Sequence, residues 1–159
     1  MINLNEIENE VRVEDKFKYK NYNCVVTISD YGYRAAYIIL PSSHPLSHKE
    51  IYDLYDVDCH GGITFSGNIN KAFDMQGGSW IIGFDYDHYG DNYDLQAVKK
   101  IFGDKAFKEA DAFLKTPIAA DCHTNGKDIT LESVKEELKK VIDQIDSIGK
   151  PQVIEDQAV

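Results

Sequence analysis

Apolar residues along this chain change spacing twice. Leu4, Ile7 and Val11 fall three and four apart, which predicts a short helix over residues 3–13. The segment "YNCVVTISDYGYRAAYIILP" then alternates β-branched and aromatic positions on either side of "DYG". It predicts a β-hairpin in which Gly32 supplies the positive φ of a tight turn, and Pro41, which has no N–H to donate, ends the second strand. A helical turn is expected around residues 49–54. "GGITFSG" and "SWIIGFDYD" predict two further strands, with a turn at Gly77-Gly78 before the second.

The spacing returns to three and four beyond Tyr93. Leu95, Val98 and Phe102 form one face and Phe107, Ala110 and Leu114 another, with Gly103 separating two helical pieces between Tyr93 and Lys115. Leu131, Val134, Leu138, Val141, Ile142, Ile145 and Ile148 make the longest stripe. It predicts an amphipathic C-terminal helix that starts at Thr130 or Asp128 and stops at Gly149 and Pro151. The expected class is α+β, a small antiparallel sheet of about four strands with helices packed on one face. Residues 1–150 are expected to form a single domain and 151–159 a flexible tail.

The chain has 159 residues, of which 43% are hydrophobic and 11% aromatic, enough for a globular core. No apolar run approaches the roughly 20 residues that span a bilayer, and the polar, acidic start is unlike a signal peptide. The cytoplasm is the expected location. Three cysteines far apart, Cys24, Cys59 and Cys122, suit free thiols better than a disulfide framework.

Net charge is −10, which disfavours direct binding to nucleic acid and favours a basic partner. The charge is concentrated in the middle of the chain. Between residues 53 and 94 lie Asp53, Asp56, Asp58, Asp74, Asp85, Asp87, Asp91 and Asp94 against Lys71 alone, a balance of −7 (eight acids less one lysine). Tyr31, Tyr33, Tyr52, Tyr55, Tyr86, Tyr89 and Tyr93 interleave with acid in or near the expected loops, as in a protein-binding face. The residues expected to meet a partner are Tyr86, Asp87, Tyr89, Asp91, Tyr93 and Asp94.

Two other chemistries have candidate residues. His60, Asp85, His88 and Asp91 lie at the ends of two strands. If those strands pair, the four could hold zinc or manganese and make a metal-dependent hydrolase acting on a nucleotide or phosphoester. The dipeptides Cys59-His60 and Cys122-His123 could supply thiolates and imidazoles to a structural zinc, although adjacent side chains diverge. Ser66 and Cys59 lack recognisable activating partners, and "GGITFSG" lacks the lysine and helix of a phosphate-cradling loop. The favoured expectation is a non-enzymatic binder with no cofactor.

His60, Gly61, Gly62, Thr64, Phe65, Ser66 and Gly67, followed by Trp80, Gly83, Phe84, Asp85, His88 and Asp91, resemble a family of small phage and prophage proteins. That family carries His-Gly-Gly-x-Thr-Phe-Ser-Gly and Trp-x-x-Gly-Phe-Asp segments. His44–Ser47 also fits, and the resemblance spans about residues 37–145. Tyr86 departs from the small or cysteine residue usual there, and the loops are more acidic. Size, acidity and a composition rich in Asn, Lys, Ile and Tyr are similar to anti-CRISPR proteins of staphylococcal mobile elements. This resemblance implies an inhibitor of a type II RNA-guided nuclease in the host cytoplasm. It would bind a basic surface of the effector, the HNH nuclease domain being favoured, and block DNA cleavage.

Overall fold

The computed structural model describes residues 11–68 and 80–149. Strands β1 (Val11–Tyr19), β2 (Tyr22–Ser29), β3 (Arg34–Leu40), β4 (Phe65–Asn68) and β5 (Trp80–Asp85) form one antiparallel sheet in the order β1-β2-β3-β5-β4. Short strands β6 (Asp91–Asn92) and β7 (Lys127–Asp128) pair in parallel. The helices are α1 (Leu95–Phe102), α2 (Asp104–Leu114), α3 (Pro117–His123) and α4 (Leu131–Gly149). The class is α+β, as the apolar pattern predicts.

The sheet has one strand more than expected, and its origin corrects the N-terminal reading. Residues 11–13, assigned above to a helix, open β1; the rest of that helix lies outside the described residues. Phe17 and Tyr19 alternate with Lys16 and Lys18, a two-residue period that a helix cannot use. A bulge between Val13 and Asp15 masks this period further upstream. Lys20 and Asn21 both have positive φ, 46° and 67°, so β1 and β2 join through a two-residue turn that follows the natural twist of a hairpin.

The β2–β3 hairpin forms as expected. Gly32 has φ +105° and its N–H donates to the Ser29 carbonyl at 3.0 Å, while β3 stops at Leu40, before Pro41. A short 3₁₀ turn covers Ile51–Leu54, and Gly103 divides α1 from α2. Helix α3 was not foreseen; Pro117 starts it. Thr130 caps α4, exchanging hydrogen bonds with Ser133: Ser133 N–H donates to Thr130 Oγ1 at 3.1 Å and Thr130 N–H to Ser133 Oγ at 3.0 Å. The turn expected at Gly77-Gly78, Asp74 and the tail from 151 lie outside the described residues.

The core lies between α4 and one face of the sheet. Val134, Leu138, Val141, Ile142 and Ile145 pack with Cys24, Val26, Ala36, Ile38, Leu40, Ile82 and Phe84. Each fully buried aliphatic side chain contributes roughly 1.5–3 kcal/mol. On the opposite face Val25, Ile39 and Ile81 are buried together, with Tyr37 against them. A Cβ at Gly83 would stand 2.6 Å from the Tyr37 ring, so glycine lets that ring lie across β5.

Buried Arg34 joins the sheet to the helical part. It makes a bidentate pair with Glu14 (Nε to Oε2 2.7 Å, Nη2 to Oε1 2.9 Å) and donates from Nη1 to Asp94 Oδ2 at 2.9 Å and the Ile129 carbonyl at 2.7 Å. His44 is structural in the same sense. Its Nε2 donates to the Ile145 carbonyl at 3.0 Å and its Nδ1 accepts from Leu46 N–H at 3.0 Å, which fixes a neutral tautomer.

Candidate functional site

Pairing of β4 with β5 draws the loop before β4 against the loop after β5. Gly61 and Gly62 turn the first loop with φ +70° and +78°, and Thr64 N–H anchors it to the Gly83 carbonyl at 2.9 Å. A Cβ on Gly61 would fall 2.3 Å from His88 Cε1, so the imidazole packs directly on this backbone. On the other side the β6–β7 pair and α3 close in. Gly90 N–H donates to the Cys122 carbonyl at 2.8 Å, and a Cβ on Gly126 would meet the Gly90 carbonyl oxygen at 1.9 Å.

At the centre sits Asp91, only 4% exposed. Its Oδ2 lies 2.8 Å from His60 Nε2 and 3.3 Å from His88 Nδ1, and accepts the His88 backbone N–H at 3.1 Å. The His60 ring stacks on Tyr86 with centroids 4.2 Å apart, and its backbone N–H donates to Glu137 Oε1 at 3.0 Å. Asp85 flanks the group: Oδ1 is 3.7 Å from His88 Nδ1 and accepts Asp87 N–H at 3.2 Å, while Oδ2 accepts from Thr64 Oγ1 at 3.0 Å.

A second His/Asp pair backs onto the first. His123 Nδ1 donates to the Asp91 carbonyl at 2.9 Å, its ring stacks on Tyr93 at 4.0 Å, and its Nε2 is 3.7 Å from Asp87 Oδ1. The Tyr93 hydroxyl donates to the same Asp87 oxygen. Burial, then the hydrogen bond and charge of Asp87, push the Tyr93 phenol well above its ordinary range, so it keeps its proton and acts as a donor. Burial likewise raises Tyr86.

The four metal candidates of the sequence therefore converge at the strand ends, with His60, His88 and Asp91 closest. Their donor atoms all lie within 4.8 Å of one another, while Asp85 stands just outside. The two Cys-His dipeptides form no such group; among the described residues, the triad is the one set of His, Cys, Asp and Glu that does. The cysteines are free thiols. Burial pushes Cys59 up to about 12, helped by Glu137 and Asp58, so it is no ready nucleophile.

The six residues expected to meet a partner separate. Asp91 and Tyr86 are buried, Asp94 pairs with Arg34 and caps α1 through Ala97 N–H at 3.1 Å, and Tyr93 is half-buried. Asp87 and Tyr89 face outward, Tyr89 at 74% exposure. A second exposed group lies on and after the 3₁₀ turn: Tyr52 (89%) and Tyr55 (80%) with Asp53, Asp56 and Asp58. The sequence counts Tyr52 and Tyr55 among the tyrosines interleaved with acid, but nothing in their spacing set them apart from the others. His123 carried a signal only as half of a Cys-His dipeptide; its role as a brace for Asp91 follows from α3. Among the described residues no helix is long and apolar enough to cross a membrane. Compared with family models, curated proteins and solved structures, the chain has no match.

Proposed function

We propose that this protein is a non-enzymatic inhibitor that grips a basic macromolecular surface through exposed Asp/Tyr loops. The partner we propose is a type II RNA-guided nuclease bound at its HNH domain, a choice resting on the resemblance set out above. The observation that carries the binding mode is two solvent-facing groups of tyrosine and aspartate, Tyr52, Asp53, Tyr55, Asp56 and Asp58 in one and Asp87 and Tyr89 in the other. Tyrosine gives a partner large contact area with little loss of side-chain freedom, and it is enriched where proteins bind one another. Aspartates between the rings add attraction to cationic surfaces and repel nucleic acid.

The test is DNA cleavage by such a nuclease with its guide, in the presence of the wild-type protein and of a variant combining Tyr52→Ala, Tyr55→Ala, Asp53→Lys and Asp56→Lys. Wild type is expected to inhibit, and the variant to lose roughly tenfold or more in potency, with a flatter dependence on salt. A folded variant that inhibits undiminished removes the proposed surface. A wild-type protein that leaves cleavage unchanged removes the nuclease.

A further inference from the structure

We infer that His60, His88 and Asp91 form a binding site for a single divalent transition-metal ion, zinc or manganese in class. Three donors bonded at about 2.0–2.2 Å to one ion in tetrahedral array stand roughly 3.3 Å apart. Asp91 Oδ2 is 2.8 Å from His60 Nε2 and 3.3 Å from His88 Nδ1, and all three donors lie within 4.8 Å of one another, so an ion enters once the Asp91–His60 contact opens by about half an ångström. Two imidazoles and one carboxylate match zinc, manganese or ferrous iron, whereas calcium and magnesium call for oxygen donors.

The surroundings hold the three donors close together. The carboxylate is buried and its backbone carbonyl is braced by His123; the His60 ring stacks on Tyr86 while its backbone N–H donates to Glu137. His88 is seated on Gly61, with Asp85 beside its Nδ1. These contacts limit how far the three side chains can move, and Asp85 stands near the same His88 nitrogen that would face the ion. His60 and His88 are about a third exposed, 34% and 38% by side chain, so an ion held here keeps coordination positions open to water. With three protein donors, the fourth position of a tetrahedral ion is left to water or to a ligand from solution, whereas structural zinc takes all four from the protein. The inference is independent of the partner: it concerns the inner triad, and the exposed tyrosines play no part in it.

Calorimetric titration of the metal-stripped full chain with zinc, repeated with cobalt(II) for its visible absorption, tests the site. One ion per chain is expected, with a cobalt spectrum of nitrogen and oxygen ligation. His60→Ala and His88→Ala should each weaken binding by more than the roughly 10–100-fold that loss of an outer contact costs, while circular dichroism stays that of the wild type. Absence of stoichiometric binding in the wild type overturns the site. So does wild-type affinity in either folded histidine variant. If either variant fails to fold, the wild-type titration and a conservative His88→Gln variant decide, retention of binding in the latter counting against the triad.

Discussion

Residues 85–94 and residues 52–58 use the same two side-chain types, aspartate and tyrosine, for opposite ends. In the first segment Asp91 and Tyr86 are buried, Asp94 serves Arg34 and a helix start, and Tyr93 donates to Asp87. In the second, Tyr52, Asp53, Tyr55, Asp56 and Asp58 all face solvent, and Leu54 and Val57 alone turn inward. The difference lies in what surrounds each segment. Residues 85–94 run beneath the loop bearing His60 and beside α3 and β7, so that His60 meets the Asp91 side chain, His123 its carbonyl and Lys127 N–H the Gly90 carbonyl. Residues 52–58 cap the outside of α4, where Gln144 clamps the backbone of Asp58 at both N–H (2.7 Å) and carbonyl (3.0 Å) and leaves the side chains free to point away. A buried carboxylate is tolerated only where its lone pairs are met, and water meets those of an exposed one.

That contrast can be broken by mutation, and the inner region should yield the larger effects. Asp94→Ala removes one carboxylate from buried Arg34 and the cap of α1, and should cost about 3 kcal/mol in urea unfolding. A loss below about 0.5 kcal/mol would place Asp94 with the surface acids. Gly61→Ala forces a side chain into a left-handed backbone and against the His88 ring. A loss of roughly 1–3 kcal/mol is expected, together with weaker metal binding as His88 is displaced. If the variant is as stable as the wild type and binds metal equally, the packing of His88 on Gly61 has no consequence. Tyr52→Ala with Tyr55→Ala should leave stability within about 0.5 kcal/mol, as measured by thermal and urea unfolding. A larger loss would mean that these rings support the fold and are not surplus to it.

Much of the fold was legible because it follows from short-range period. The stripe from Leu131 to Ile148, the hairpin around "DYG" and the break at Gly103 each lie within a few residues of the cause that sets them. Strand β1 escaped because its bulge interrupts the alternation and Val11 falls at a three- and four-residue spacing from Leu4 and Ile7. Helix α3 escaped because "PIAADCH" is too short to show a period. The site was half legible. The density of His and Asp at the strand ends pointed to His60, Asp85, His88 and Asp91, and antiparallel pairing of β4 with β5 brings them together. The same density gave no means to separate Asp91 from Asp87, four residues apart and opposite in exposure.

By itself, the sequence determined most of the strands and helices, the α+β class, and a middle third in which acid outweighs its single lysine eight to one. Those properties are summed over neighbours, and neighbours are what a sequence displays. Only the tertiary structure decided which aspartates are ligands, struts or free charge, because that turns on groups 20 to 60 residues away: Arg34 for Asp94, His60 and His123 for Asp91, Tyr86 for His60. Burial and hydrogen-bond partnership are long-range quantities, fixed when the chain packs, and the chemistry of each acid is fixed with them.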